Sequence, residues 1–307
     1  MGSPTEAATA PPAPASKRAV FLRRSLSFVV LWTLVITTLF VANRYVSGFC
    51  FLGVMLTLAG LGLSEFYALV ARRGFCCFRD WGIVGGLLLM GSTFVYLSGA
   101  LGTQAAPAKA NDFETSFLIL FVLGLCLRQF VAHTQDSGIL AISTTLLGLM
   151  YVPWLLNFIQ KIRFFPAADG RVYLIYFLVV TKFSDTGAYL TGSLLGRHKM
   201  IPRISPGKTW EGFAGAILFS TLASLGLAYG FGERLRGMTP FHAVVLGIVL
   251  SVAAVVGDLI ESLFKREAGL KDSGRSLPGI GGVLDLLDSL LFNAPLMYLY
   301  LRHVLTP

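Results

Sequence analysis

Nine apolar runs of helix length follow one another along this chain of 307 residues, at about 26–42, 46–70, 81–99, 115–131, 137–159, 172–190, 212–231, 242–262 and 283–301. In hydrocarbon every backbone N–H and C=O must be satisfied within the protein, so only α-helices and closed barrels can cross. Barrel strands show as short alternating segments, whereas these runs are continuous and long enough for helices. The expectation is an all-α fold: a polytopic helical membrane protein with about nine transmembrane helices. Composition agrees, since only 13% of the residues are charged, against roughly a quarter in a soluble domain.

Orientation follows from the cations. With the N-terminus inside and the spans alternating, cytoplasmic segments and span ends hold 16 Lys and Arg against 8 outside, with Lys182 left within a span. That asymmetry favours N-in/C-out, although the 161–171 loop runs against it. Loops 191–211 and 263–282 then emerge together on the cytoplasmic face. The formal charge of +9 reads as basic loops facing anionic lipid, with no nucleic acid as partner. Residues 1–24 read as a disordered basic cytoplasmic tail, Pro/Ala-rich and then cationic, and run 26–42 as an uncleaved signal anchor. A bacterial inner (plasma) membrane fits the lack of other targeting signals. Residues 25–171 read as N-terminal membrane helices forming a scaffold, because intramembrane polar groups there are few beyond Ser64 and Glu65. Residues 172–307, crowded with such groups, read as the catalytic membrane region. Glu65 suits a buried hydrogen bond as well as a functional role, and Gly82 with Gly86 fits a close-packing pair.

The stretch 257–289, GDLIESLFKREAGLKDSGRSLPGIGGVLDLLDS, holds six carboxylates and four cations between two apolar runs. Such charge at membrane depth is costly unless it serves chemistry or transport. By spacing, Asp258, Glu261, Ser262 and Lys265 share one helical face. Asp285 and Asp288 stand in the first turn of the last helix, where the dipole favours carboxylates. The Pro278-Gly279-Ile280-Gly281-Gly282 turn before them can lift backbone amides toward an anion. Two acid pairs from neighbouring helices suit a hard cation such as Mg²⁺; alternatively these acids only pair with Lys265, Arg266 and Lys271.

In KFSDTGAY, residues 182–189, Lys182 and Asp185 share a face and suit an internal ion pair. The basic loop GRHKMIPRISPGKTWEG, 196–212, ends at a helix start, so Ser205, Lys208 and Thr209 are candidate phosphate donors. It is no nucleotide-binding P-loop, since Pro202 occupies the required glycine position. Cys50, Cys76, Cys77 and Cys126 lack metal spacing, and none of the four histidines pairs with another at ligand spacing.

From Ser262-Leu-Phe-Lys265-Arg266 through Lys271-Asp272, Gly274, Leu277-Pro278-Gly279 and Gly281-Gly282 to Asp285 and Asp288, the chain resembles the C-terminal signature of the phosphatidate cytidylyltransferase (CDP-diacylglycerol synthase) family. Ser184-Asp185-Thr186-Gly187-Ala188-Tyr189 and Ser205-Pro206-x-Lys208-Thr209-Trp210-Glu211-Gly212 are similar to its other two patterns. The likeness is close over about 180–295. Two positions depart: Ile280 stands where the family usually has His, and Leu286 where it has Arg, so an imidazole and a guanidinium able to contact phosphate are missing.

The resemblance implies transfer of CMP from CTP to phosphatidate, with Mg²⁺, giving CDP-diacylglycerol and pyrophosphate. It implies Asp258, Asp285 and Asp288 as metal ligands, and Lys265, Lys271 and Asp272 beside Asp258 and Asp285 as catalytic residues. Ser205, Lys208, Thr209, Arg266 and Asp185 would bind or support substrate. The partners expected are CTP, phosphatidate and membrane lipid, with a homodimer as the assembly to examine. Two rival readings are a CTP-dependent transferase for another lipid phosphate and an ion-coupled transporter; the lack of an internal repeat weighs against transport.

Overall fold

The computed structural model describes residues 33, 35–99, 107–131, 138–274, 276 and 281–306. The basic tail expected at 1–24 and most of the run at 26–42 lie outside them. The helices are α1 (Arg44–Arg72), α2 (Arg79–Ser98), α3 (Pro107–Val131), α4 (Gly138–Leu149), α5 (Leu155–Arg163), α6 (Gly170–Leu195), α7 (Trp210–Phe231), α8 (Pro240–Glu267) and α9 (Val283–Tyr300). Their starts are encoded locally. Asn43 accepts hydrogen bonds from the Tyr45 and Val46 amides, and Asp169 from those of Arg171 and Val172. Thr209 caps α7, and Thr239 caps α8 with Pro240 at its first turn. Each cap satisfies amides that have no partner within the helix.

Every expected run that falls on described residues is helical. Among the described residues, seven helical segments are long and apolar enough to cross a membrane. Helix α6 is not one of them, because Lys182, Ser184, Asp185 and Thr186 dilute its apolar character. The run at 137–159 is one helical rod, Gly138–Arg163, in which Met150–Trp154 forms a π-helical segment around Pro153. Proline removes a backbone donor and crowds the preceding turn, and a wider turn relieves both.

Close approach is built on glycine. A Cβ at Gly82 would meet the Tyr67 hydroxyl at 2.0 Å, and one at Gly86 would meet Leu63 at 2.6 Å, so the expected pair does bring α1 and α2 together. Tyr67 then donates to the Thr145 carbonyl at 2.8 Å, fixing α1 to α4. Helices α6 and α7 touch the same way, with a Cβ at Gly187 only 2.6 Å from the Gly215 carbonyl. One element was illegible in the sequence: the basic loop folds back as an antiparallel pair, β1 (Lys199–Ile201) with β2 (Ser205–Thr209).

The N-terminal half is not poor in buried polar groups. Lys161 on α5 pairs with Glu114 on α3 at 2.6 Å, both buried, and donates to Asn111 Oδ1 at 2.9 Å. Asn157 donates to Thr93 Oγ1 and to Glu114 Oε1, and Gln160 to Asn157 Oδ1. Spacing could not reveal this network, whose partners come from three helices. Arg163 donates to Ser47 Oγ at 2.6 Å beside it. The start of α1, the start of α3 and the end of α5 therefore gather on one face of the bundle. The end of α8 and the start of α9 gather on the other.

Breaking a buried pair strands a charge. Lys161→Met is expected to destabilise the detergent-solubilised protein by about 3 kcal/mol, read from its thermal midpoint, and adding Glu114→Gln should recover most of the loss.

Candidate active site

The last turns of α8 meet the first turn of α9 around an array of alternating charges. The Lys265 ammonium contacts Glu261 and donates to Asp285 Oδ1 at 2.6 Å. From β2, Lys208 reaches α8, where it pairs with Asp258 Oδ2 at 3.0 Å and donates to the Val255 carbonyl at 2.8 Å. On α6, Lys182 pairs with Asp185 at 3.1 Å and lies 3.3 Å from Ser289 Oγ, which itself donates to Asp185. Ser262 donates to Asp258 Oδ1, and the Ser289 amide to Asp288 Oδ1. Side chains from α6, β2, α8 and α9 thus converge on one centre. The spacing read in α8 holds, with Asp258, Glu261, Ser262 and Lys265 all turned to this side.

Asp258, Glu261 and Asp288 each present a carboxylate oxygen within 4.8 Å of the others. An all-oxygen anionic set of this kind suits a hard divalent cation. Glu261 strengthens that reading. It is fully buried, and the charge it brings into the bundle is answered at one oxygen by the Lys265 ammonium, which it shares with Asp285. Asp285, expected beside Asp258 and Asp288, lies outside this trio. Its Oδ2 accepts from the Gly282 amide at 2.7 Å, the Ser273 amide at 3.1 Å and the Ser273 hydroxyl at 3.0 Å. As the third residue of α9, it reaches back to the helix start. The shared face suggested by the Asp285–Asp288 spacing yields to that local cap.

The basic loop delivers Lys208 to the centre and uses its other candidates for support. Thr209 Oγ1 accepts the Gly212 amide at 3.1 Å, capping α7, and Ser205 opens β2 half-buried. Arg266 donates to the Ile204 carbonyl at 3.2 Å and to Leu270, tying the end of α8 to the hairpin. Lys271 and Asp272 are exposed after α8 and are not among the residues lining the cavity at the centre. Ile280 lies outside the described residues, and Leu286 offers its carbonyl to Lys182 at 3.4 Å.

That cavity has a volume of about 1040 Å³. Lys182, Asp185, Lys208, Asp258, Asp285 and Asp288 form its charged end, while Phe51, Met55 and Leu58 of α1 and Leu174 and Leu178 of α6 form an apolar flank. Sequence reasoning missed the part played by α1. Glu65 accepts from Ser273 Oγ at 3.1 Å, Ser276 Oγ at 2.6 Å, the Val283 amide at 3.0 Å and the Leu284 amide at 2.9 Å. It caps α9 from another helix. The only signal was an acid within an apolar run, which identifies no partner.

The sequence model described as "Cytidylyltransferase family" matches residues 23–304. An uncharacterized protein of Escherichia coli, YnbB, is 30% identical over 253 residues, covering 79% of this chain and 76% of that protein. A phosphatidate cytidylyltransferase of Mycobacterium leprae is 41% identical over 152 residues, half of this chain and 47% of that protein. One from Staphylococcus haemolyticus is 35% identical over 186 residues, 61% of this chain and 66% of that protein. The chain thus spans about half the length of the mycobacterial relative and just under two thirds of the staphylococcal one.

The fully buried Glu261 carboxylate shares a single ammonium, Lys265, with Asp285, and its desolvation carries a testable cost. In buffer free of divalent cations, Glu261→Gln should raise the thermal midpoint by roughly 2–4 °C, the shift that ~1 kcal/mol makes in a chain of this order of size.

Proposed function

The chain belongs to the cytidylyltransferase family, and from that premise we propose that it transfers CMP from CTP to phosphatidate, giving CDP-diacylglycerol and pyrophosphate. The observation that carries this reading is the cavity itself: the Lys182 and Lys208 ammonium groups and a set of carboxylates in one part, an apolar flank in another. A lipid phosphate needs both. Its head group must meet a nucleotide triphosphate among charges while its acyl chains stay out of water.

In the reaction, a phosphate oxygen of phosphatidate attacks the α-phosphorus of CTP. The new P–O bond forms as the bond to the oxygen bridging toward the β-phosphorus breaks, and pyrophosphate leaves with the bonding pair. Such transfer depends on alignment and charge neutralisation more than on covalent help. Lys208 and Lys182 offer ammonium groups to the phosphates, with Asp258 and Asp185 holding them in place. Lys265 keeps Glu261 and Asp285 compatible in one centre. Thr209 and Arg266 fix the hairpin that carries Lys208, and Ser205 adds a hydroxyl to that hairpin. Lys271, exposed after α8, offers a cation to CTP arriving from solution, and Asp272 stands beside it.

A divalent cation, Mg²⁺ in our reading, fits this donor set. Asp258, Glu261 and Asp288 would hold it, with Asp285 adjacent through Lys265. When bound it would supply neutralisation of the triphosphate and polarisation of the reacting phosphorus. The N-in arrangement would place the centre at the cytoplasmic side of a bacterial plasma membrane, where CTP is available. The departures at Ile280 and Leu286 favour one second reading, the same transfer to a different lipid phosphate.

With Mg²⁺ in mixed micelles, the purified protein should convert CTP and phosphatidate to CDP-diacylglycerol and pyrophosphate in equal amounts. Asp258→Asn and Asp285→Ala should lower kcat by roughly 10²–10³-fold, as loss of a group aimed at developing charge does, while remaining folded and membrane-inserted. Lys208→Met should act mainly on KM for CTP. No product from the unaltered protein would remove the reading, and preference for a competing lipid phosphate would reassign the acceptor.

A further inference from the structure

Glu65 lies on α1, away from the residues with which the family resemblance was recognised, and its buried carboxylate accepts four hydrogen bonds. That fills the acceptor capacity of an ionised carboxylate. The donors come from two places in the chain: the Ser273 and Ser276 hydroxyls that follow α8, and the Val283 and Leu284 amides that open α9. The fit is tight. A Cβ at Gly274 would stand 2.4 Å from Glu65 Oε1, and one at Gly282 2.3 Å from Oε2.

Two carboxylates therefore share one helix start. Asp285 takes the Gly282 amide, and Glu65 takes those of Val283 and Leu284. Ser273 Oγ stands between them, 3.1 Å from Glu65 and 3.0 Å from Asp285, with a single proton to donate. If Glu65 were absent, two buried amides at the positive end of α9 would have no acceptor. The nearest anion able to answer them is Asp285, which would have to leave Lys265 and turn away from the cavity.

From this we propose that Glu65 is a positioning residue for the transfer reaction: it caps α9 from a neighbouring helix, leaving Asp285 directed at Lys265 and the centre. The proposal rests on the transferase reading above. Glu65 touches no substrate. It acts through the aim of Asp285.

The test is steady-state kinetics of the full chain with Mg²⁺, CTP and phosphatidate, beside thermal midpoints and hydrogen exchange at the start of α9. Glu65→Gln keeps the size but turns an NH₂ toward donors. Its kcat should fall at least about tenfold while KM for CTP stays within about twofold, because Lys208 and its hairpin are untouched. Exchange at Val283 and Leu284 should rise. Glu65→Asp should recover a substantial part of kcat. Ser276→Ala removes a clamp contact from the other side and leaves α1 intact, so it should show a smaller loss of the same kind. Combined with Glu65→Gln it should add little, as partners in one contact do. Inactive unaltered protein would defeat the transferase reading, and the proposal with it. Active protein with wild-type kcat in Glu65→Gln would defeat the proposal alone. Losses that follow the thermal midpoint equally in Gln and Asp variants would also overturn it, as would misfolding of both Glu65 variants with full activity in Ser276→Ala.

Discussion

A helix that starts inside a protein begins with amides its own turns cannot satisfy, and α9 starts beside the most highly charged part of this bundle. Glu65 and Asp285 answer those amides together. Everything nearby depends on that joint. It sets where α9 begins, hence where Asp285 and Asp288 stand relative to Asp258 and Glu261. It also binds the first long helix to the last across more than two hundred residues of sequence. The division into scaffold and catalytic halves at residue 171 is therefore not a division of the centre, since α1 supplies both the cap and part of the cavity's apolar flank.

The balance of charge gives the centre its character. Lys182, Lys208 and Lys265 face Asp185, Asp258, Glu261, Asp285 and Asp288, three ammonium groups against five carboxylates. Each ammonium is already committed to an acid, so the centre alone is a poor host for a polyanion. In the proposed reaction a divalent cation would offset that formal excess of two acids. The Glu114–Lys161 network at the opposite face is different in kind: its pair is matched one to one and surrounded by amides and a hydroxyl. One assembly is closed upon itself and the other is left short of positive charge.

Local features of the sequence predicted local structure well. Apolar runs located the helices, and Asn43, Asp169, Thr209 and Thr239 stand where helices begin. The i, i+3 and i, i+4 spacing in α8 correctly placed four side chains on one face. What could not be read was anything decided by a partner from elsewhere. Glu114 stands just before the run expected at 115–131, and the helix takes it in by starting at Pro107. Asp285 looks equivalent to Asp288, yet one is drawn to its own helix start and the other is not. Glu65 gives no hint that its donors lie beyond residue 270. The residues around Met200 form a hairpin because Lys208 and Arg266 fasten it to α8, and the loop's own composition does not require that.

The π-helical segment around Pro153 divides the rod Gly138–Arg163 into two α-helical halves. Above it, Thr145 receives Tyr67 and the Phe78 amide; below it, Asn157 and Lys161 face Glu114. Each half of the rod is thus indexed to different neighbours, and the wide turn sets the phase between them. One residue is worth about 100° of helical rotation. The wide turn holds one residue more than an α-turn, so a chain shortened by a single residue there would close into regular α-helix and keep Asn157 and Lys161 in register with Glu114. Tolerance to a one-residue deletion, usually a property of loops, is here built into the middle of an apolar helix, whereas the same deletion in either α-helical half would turn its partners away by about 100°.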